Sequence, residues 1–120
     1  LKYIASEYSG TPTGNRAKYL AGVSYYRLGE YAKAVEYLSD FKTDAQQIQM
    51  MAFGVLGDSY AELKKNDEAI KAYKNAAGIF PKDEANASEY LFRAALLSEV
   101  SGKNDEAVRL YTEVKERFPR

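Results

Sequence analysis

Cysteine, histidine and tryptophan are all absent from this 120-residue sequence. Without cysteine and histidine the chain has no thiol nucleophile, no imidazole base and no Cys/His zinc site. Carboxylates are therefore the remaining catalytic candidates. A hydrolase of the paired-carboxylate type needs two of them across a cleft with pKa values pushed apart, and no pattern here indicates such a pair. The sequence predicts a protein that is not an enzyme and has no cofactor, metal or catalytic residue.

An excess of either charge and a long apolar run are also missing. Lys+Arg and Asp+Glu number 17 each, so no net field attracts nucleic acid or an acidic membrane. The longest apolar runs, such as residues 50–53, are far too short to cross a bilayer. The chain begins at Leu1 instead of Met, which predicts a fragment of a longer chain. A signal peptide or membrane anchor would lie in the missing upstream part.

An internal repeat is the strongest signal that is present. The tetrapeptide at 66–69, Asn-Asp-Glu-Ala, recurs at 104–107, and a more divergent third copy precedes both. The Ala that ends this segment lies at 34, 69 and 107, so it recurs after 35 and then 38 residues. These intervals are close to the ~34 residues of helix-turn-helix repeats. In each copy a small residue lies twelve positions before that Ala: Gly22 and Ala34, Gly57 and Ala69, Ala95 and Ala107.

Apolar residues within each copy follow two helical stripes separated by a turn. In the second copy Met50, Phe53, Leu56 and Tyr60 share one helix face, and Ala69 opens the next stripe. Asn66 is predicted to cap the second helix, while Gly29 and Gly102 mark the other two turns. The three extra residues of the second interval are predicted within 81–88, as a longer connection or an extra helical turn. The small positions are expected where paired helices cross, with the residue four places after each Ala filling the space between hairpins.

These positions resemble the tetratricopeptide repeat (TPR), whose pattern the second copy matches throughout: Phe53, Leu56, Gly57, Tyr60, Ala69, Tyr73, Ala76 and Pro81. The resemblance implies an all-α fold, an α-α superhelix of three helical hairpins plus the end of a preceding helix. We predict a single domain over 1–120, with the preceding helix end and turn at 1–12 and repeats at 13–46, 47–83 and 84–120. For function the family implies protein–protein interaction.

The opening segment, with Glu7-Tyr8-Ser9-Gly10-Thr11-Pro12 before a tyrosine-rich repeat, is similar to bacterial envelope TPR proteins. These include periplasmic, membrane-anchored members. The resemblance favours the bacterial envelope or periplasm over the cytoplasm, with the anchor or signal outside this segment. The segment itself is not expected to insert into a membrane.

In the TPR family the first helices line a concave groove that binds a peptide or protein segment. Carboxylate-clamp members place Lys, Asn, Asn, Lys and Arg at five groove positions, where this sequence has Tyr19, Val23, Val55, Glu89 and Arg93. Because only Arg93 matches, the clamp is absent. The groove is instead expected to be apolar with charged edges, and it projects onto the following residues: Arg16, Tyr19, Val23, Tyr26, Arg27, Met51, Val55, Asp58, Glu62, Glu89, Phe92, Arg93, Leu96 and Glu99.

Alternative interpretations stay open for several of these residues. Asp58, Glu62 and Glu99 are expected to be solvated acids on the wall of the groove, and Tyr19, Tyr26 and Leu96 could be covered by neighbouring repeats instead of by a partner. The last helix should expose Val108, Tyr111, Val114 and Phe118, which would allow a homodimer through the end helices. The alternative function is therefore a self-associating or spacer segment of a longer repeat array.

Overall fold

The computed structural model describes residues 11–119, and within this range all regular secondary structure is α-helix. The predicted all-α class is confirmed. Of the predicted helix end and turn at 1–12, residues 1–10 lie outside the described residues, and Thr11 and Pro12 cap and begin the first helix. Six helices follow one another: α1 (Pro12–Arg27), α2 (Tyr31–Leu38), α3 (Gln46–Glu62), α4 (Asn66–Ile79), α5 (Glu84–Val100) and α6 (Asn104–Arg117).

Each helix packs against the next one in the chain, so α1–α2, α3–α4 and α5–α6 form three stacked hairpins. α1 also contacts α3 across the first hairpin boundary. The result is the α-α superhelix expected from the repeat, and it is elongated, with extents of 45 × 29 × 18 Å. The middle hairpin buries apolar side chains against both of its neighbours, which is how a solenoid replaces a single central core.

Small residues are placed where paired helices cross, as the repeat predicts. A Cβ atom on Gly22 would lie 2.6 Å from the Leu38 side chain, and one on Gly57 would lie 2.7 Å from the Tyr73 ring. Leu38 and Tyr73 also reach the next hairpin, as predicted: Leu38 packs in one cluster with Ala52 and Leu56 of α3, and the Tyr73 ring stacks with Tyr90 of α5.

The turns inside the three hairpins share one backbone conformation. Gly29 and Gly102 have φ values of 79° and 82°, and Lys64 occupies the equivalent place in the middle hairpin with φ 61°. The predicted cap at Asn66 is wrong, because Lys65 is the N-cap residue and its side chain makes no capping hydrogen bond. The backbone N–H of Lys65 donates to the carbonyl of Tyr60 at 2.9 Å, so the turn itself sets where α4 begins.

The extra residues of the second interval lie in α4 and not in the predicted stretch 81–88. α2 has 8 residues and α4 has 14, while the connection after α4 is the shorter of the two. The longer connection, residues 39–45, is tied down by the buried Gln49. Its side chain accepts a hydrogen bond from the Thr43 N–H at 2.9 Å and donates one to the Phe41 carbonyl at 3.3 Å.

The predicted exposure of the last helix is correct for one residue of four. Val108 is 65% exposed, but Tyr111, Val114 and Phe118 are partly buried and pack against the large cluster formed by α3, α4 and α5. The reason is that α6 turns these three side chains back toward α5. The apolar end surface that motivated the homodimer is therefore much smaller than the sequence indicated.

Candidate functional site

The first helices of the hairpins, α1, α3 and α5, present the predicted residues along one common face, which we call the first-helix face. It comprises Arg16, Tyr19, Val23, Tyr26 and Arg27 of α1, Met51, Val55, Asp58 and Glu62 of α3, and Glu89, Phe92, Arg93, Leu96 and Glu99 of α5. Spacings of three and four residues keep each set on one side of its helix. All of these side chains are at least partly accessible.

Asp58 connects the second and third hairpins at the centre of this face. Its Oδ1 accepts a hydrogen bond from the Tyr73 hydroxyl at 2.5 Å and lies 3.2 Å from Nη1 of Arg93. Nη1 is also 3.4 Å from Oδ2. Burial, followed by the hydrogen bond to Asp58, raises the pKa of Tyr73, so its hydroxyl stays a donor at neutral pH. Asp58 is thus a paired structural carboxylate, and the expectation of a solvated acid is wrong for it.

Arg93 is held on three sides. Its Nε donates to Glu89 at 3.0 Å, its Nη1 binds Asp58, and its guanidinium lies 5.4 Å from the centre of the Tyr90 ring. Burial opposes the charge on Arg93, but the hydrogen bond that Arg93 donates to Glu89 and the charge of Asp58 outweigh burial and raise the pKa of Arg93. The one residue that matches the carboxylate clamp is therefore already engaged with two carboxylates of its own chain.

The Tyr90 side chain bridges α5 and α3. Its ring packs on Gly54, where a Cβ atom would lie 2.5 Å from the ring. Its hydroxyl donates to the Met51 sulfur at 3.7 Å, and its ring stacks with Tyr73 at 6.5 Å between centres. The sequence interpretation did not include Gly54. The available signal was a second glycine on α3 three residues before Gly57, at a position where the other repeats have Tyr19 and Phe92.

Tyrosines of α1 complete the face in two different ways. Burial raises the pKa of Tyr26, as do the nearby carboxylates of Asp58 and Glu62, so Tyr26 faces the charges of the second hairpin. The Tyr19 ring instead lies 5.4 Å from the Phe41 ring and packs against the cluster that contains Leu38 and Phe41. The structure thus brings Tyr26 close to the Asp58–Arg93 pair, whereas Tyr19 belongs largely to the packing between hairpins.

Exposed apolar side chains surround this polar centre. Met51 is 36%, Phe92 43% and Leu96 45% exposed. Leu20 and Ile48 are similarly exposed on the same face, and the sequence interpretation missed both, although each lies three or four residues from a predicted position. Together these residues give the first-helix face an apolar surface that is interrupted by fixed charges.

Three other kinds of site bear on the described residues: a pocket, a metal site and a membrane span. A surface depression of about 650 Å³ lies away from this face, between α4 and α6, and the ion pair from Lys103 to Asp67 at 2.9 Å crosses it. Residues 11–119 contain no group of three or more acidic, histidine or cysteine side chains placed to hold a metal ion. None of the helices described there is both long and apolar enough to cross a membrane.

Two family models cover the chain between them. Residues 55–120 match the model described as tetratricopeptide repeat, and residues 3–76 match the model described as anaphase-promoting complex, cyclosome, subunit 3. Each match spans more than half of the 120 residues. The chain belongs to the tetratricopeptide-repeat family. No curated protein sequence matches it. TPR domains generally serve as scaffolds for protein–protein interaction, and they are typically non-catalytic.

Proposed function

We propose that this TPR domain is a non-catalytic scaffold that binds a peptide or protein segment along the first-helix face, which forms the groove of the superhelix. The observation that carries the proposal is the exposure of Phe92, Leu96 and Met51 next to the fixed Asp58–Arg93 pair. Large apolar side chains of this kind serve as the buried anchors of protein interfaces, and methionine adapts to the shape of a partner.

The rigidity of the polar centre supports binding at this face. Arg93 and Asp58 fix each other across two hairpins. Tyr73 donates a hydrogen bond to Asp58, and the Tyr90 ring packs against the guanidinium of Arg93. A surface whose side chains are already ordered loses less entropy when a partner binds. Since Arg93 is occupied by Asp58 and Glu89, we do not expect the groove to grip a C-terminal carboxylate in the manner of clamp-type TPR domains.

A binding experiment tests the proposal. Peptides that bind the full chain are selected from a random 16-residue library, and their affinity is measured by fluorescence anisotropy. Leu96→Ala and Phe92→Ala should each weaken binding about tenfold, which corresponds to ~1.4 kcal/mol of lost anchoring. Val108→Ala is the control, because Val108 is an exposed apolar residue on α6, away from the face. Thermal unfolding verifies that each variant is folded.

The proposal fails if no peptide is selected, or if Leu96→Ala and Phe92→Ala bind as tightly as Val108→Ala. Self-association is the alternative, and its support is now the single exposed residue Val108 in place of four. A monomer at high concentration in sedimentation equilibrium would exclude it. The envelope location stays a prediction that rests on the resemblance of residues 7–12, and fractionation of the cells that express the natural protein would test it.

A further inference from the structure

The guanidinium of Arg93 has one nitrogen that its own chain does not use. Nε donates to Glu89 at 3.0 Å and Nη1 donates to Asp58 at 3.2 Å, whereas Nη2 makes no hydrogen bond within residues 11–119. The buried side-chain polar atoms that lack a partner in this range are Tyr37 Oη and Ser101 Oγ, so Nη2 of the half-exposed Arg93 is accessible to solvent. Its two N–H groups are therefore available to a partner.

The contacts that hold Arg93 also fix the position of Nη2. A guanidinium is planar and rigid, so holding two of its nitrogens and one of its faces holds the third nitrogen as well. The face lies 5.4 Å from the centre of the Tyr90 ring, and Asp58 is itself held by the Tyr73 hydroxyl at 2.5 Å. A donor that is already ordered loses little side-chain entropy when it binds an acceptor.

The apolar anchor residues of the proposed groove lie on either side of this donor. Phe92 precedes Arg93 and Leu96 follows it by about one helical turn, and both apolar side chains are exposed. A segment that covers Phe92 and Leu96 also removes water from around Arg93. A donor that loses water and finds no acceptor costs free energy. The bound segment is consequently expected to supply an acceptor to Nη2.

The charges around Arg93 decide which acceptor fits. Its one positive charge already contacts the two carboxylates of Asp58 and Glu89. Within residues 11–119 no other Lys or Arg pairs with either carboxylate, and this includes the exposed Lys64 and Lys65 in the turn after α3. A third carboxylate at Nη2 would be repelled by the first two. A neutral carbonyl oxygen accepts the same hydrogen bond without that repulsion.

We infer that Nη2 of Arg93 donates a hydrogen bond to an amide oxygen of the bound segment, from the main chain or from an Asn or Gln side chain. The inference rests on the proposed function and names the group that the groove recognises between its apolar anchors. A charged donor makes a stronger hydrogen bond than a neutral one, but Arg93 is partly exposed. The bond is therefore expected to change affinity about three- to tenfold.

The variant that tests the inference is Arg93→Lys. Its ammonium group can still pair with Asp58 and Glu89, but it has no further nitrogen fixed beside them. Peptides selected on the full chain from a random 16-residue library should bind this variant about three- to tenfold more weakly in fluorescence anisotropy. Thermal unfolding verifies that the variant is folded.

Arg117→Lys is the matched control, because the surroundings of Arg117 resemble those of Arg93. Arg117 binds the glutamate four residues before it, its guanidinium lies 5.2 Å from an aromatic ring centre, and its side chain is 38% exposed against 39% for Arg93. It belongs to α6 and not to the first-helix face. This variant should bind the selected peptides as tightly as the unaltered chain.

Changes in the peptide identify the source of the amide. Enrichment of Asn or Gln at one position, with weaker binding when that residue is changed to Ala, assigns a side-chain amide. Without such enrichment, each peptide bond is replaced in turn by a thioamide, whose sulfur is a poorer acceptor, and a loss at one bond assigns the main chain. In either case the loss should disappear in Arg93→Lys. A purely structural role of Arg93 would not produce this coupling.

Three results would overturn the inference while Leu96→Ala still weakens binding. They are equal affinity of Arg93→Lys and Arg117→Lys, the absence of any peptide amide whose effect depends on Arg93, and selected peptides in which an Asp or Glu carboxylate shows that dependence instead. If Leu96→Ala has no effect or no peptide is selected, the proposed function fails and the inference fails with it.

Discussion

The middle and last hairpins carry a tyrosine at the same repeat position, Tyr73 and Tyr111, but the two side chains have different surroundings. Tyr73 is 5% exposed and donates to Asp58, whereas Tyr111 is only partly buried and donates to Glu99. The Tyr73 ring packs on Gly57 and is covered by Tyr90 of the next hairpin. Tyr111 instead lies 5.8 Å from the Phe92 ring on the first-helix face.

The small residue opposite each ring contributes to this difference. The position equivalent to Gly57 in the last hairpin is Ala95, and a Cβ atom at 57 would lie 2.7 Å from the Tyr73 ring. A ring placed like that of Tyr73 therefore needs glycine opposite it. Tyr111 has Ala95 opposite it and, within residues 11–119, no following hairpin to cover it, so its side chain is partly exposed beside Glu99 and Phe92, two residues of the proposed groove. The same repeat position serves the core in one hairpin and the binding face in the other.

Removing the two rings should have the largest effect and gives the most direct comparison. Tyr73→Ala should lower the free energy of unfolding by about 3–5 kcal/mol, because it empties a buried site between two hairpins. Tyr111→Ala should cost clearly less, since the partly buried Tyr111 ring leaves a smaller cavity. Urea denaturation of both variants measures the difference. Equal losses would show that the two tyrosines are equivalent and would break the comparison.

The methyl group can be tested by exchanging the small residues. Gly57→Ala should destabilise the protein by about 1–3 kcal/mol through overpacking of the Tyr73 ring, even though alanine favours a helix by up to about 1 kcal/mol. Ala95 is fully buried, so Ala95→Gly should cost about 1–2 kcal/mol, from backbone entropy and from the loss of a buried methyl group. A gain in stability in Gly57→Ala would contradict the assignment of Gly57 as a required contact point.

The sequence was sufficient for features that depend on one hairpin. Gly57 as a contact point between paired helices, the turns at Gly29 and Gly102 and the order of the helices all follow from a period of about 35 residues and a helical spacing of apolar residues. The pairing of Asp58 with Arg93, and of Gly54 with Tyr90, could not be inferred in this way. Each joins residues of different hairpins, and each depends on how α5 is placed relative to α3.

The hydroxyl groups sharpen the comparison further. Tyr73→Phe should cost about 1–2 kcal/mol, because it removes a hydrogen bond to a carboxylate that is partly shielded from water. Tyr111→Phe should change stability little, since water can replace the Tyr111 hydroxyl as a donor to the exposed Glu99. Urea denaturation at neutral pH measures both variants, and a larger loss in Tyr111→Phe would reverse our ranking of the two bonds.

Alkaline pH tests the same hydroxyl by linkage. The pKa of Tyr73 is raised in the folded protein by burial and by the hydrogen bond to Asp58. Above pH ~10 the unfolded chain loses this proton and the folded chain keeps it, so the free energy of unfolding falls as pH rises. The slope from one group is at most ~1.4 kcal/mol per pH unit. Tyr73→Phe should lose stability less steeply above pH 10 than the unaltered chain, and parallel curves would exclude a raised pKa.

The turns extend the comparison to the backbone, with the smallest expected effect. Lys64 holds the left-handed conformation that Gly29 and Gly102 adopt in the other hairpins. A side chain in this conformation is strained by roughly 1 kcal/mol, and glycine is not. Lys64→Gly should therefore raise the free energy of unfolding by about 0.5–1 kcal/mol, despite the greater freedom of glycine in the unfolded chain. The neighbouring Lys65 has φ −92°, so Lys65→Gly relieves no strain and should not stabilise the chain. If both variants lose stability alike, the turn of the middle hairpin tolerates its lysine without strain.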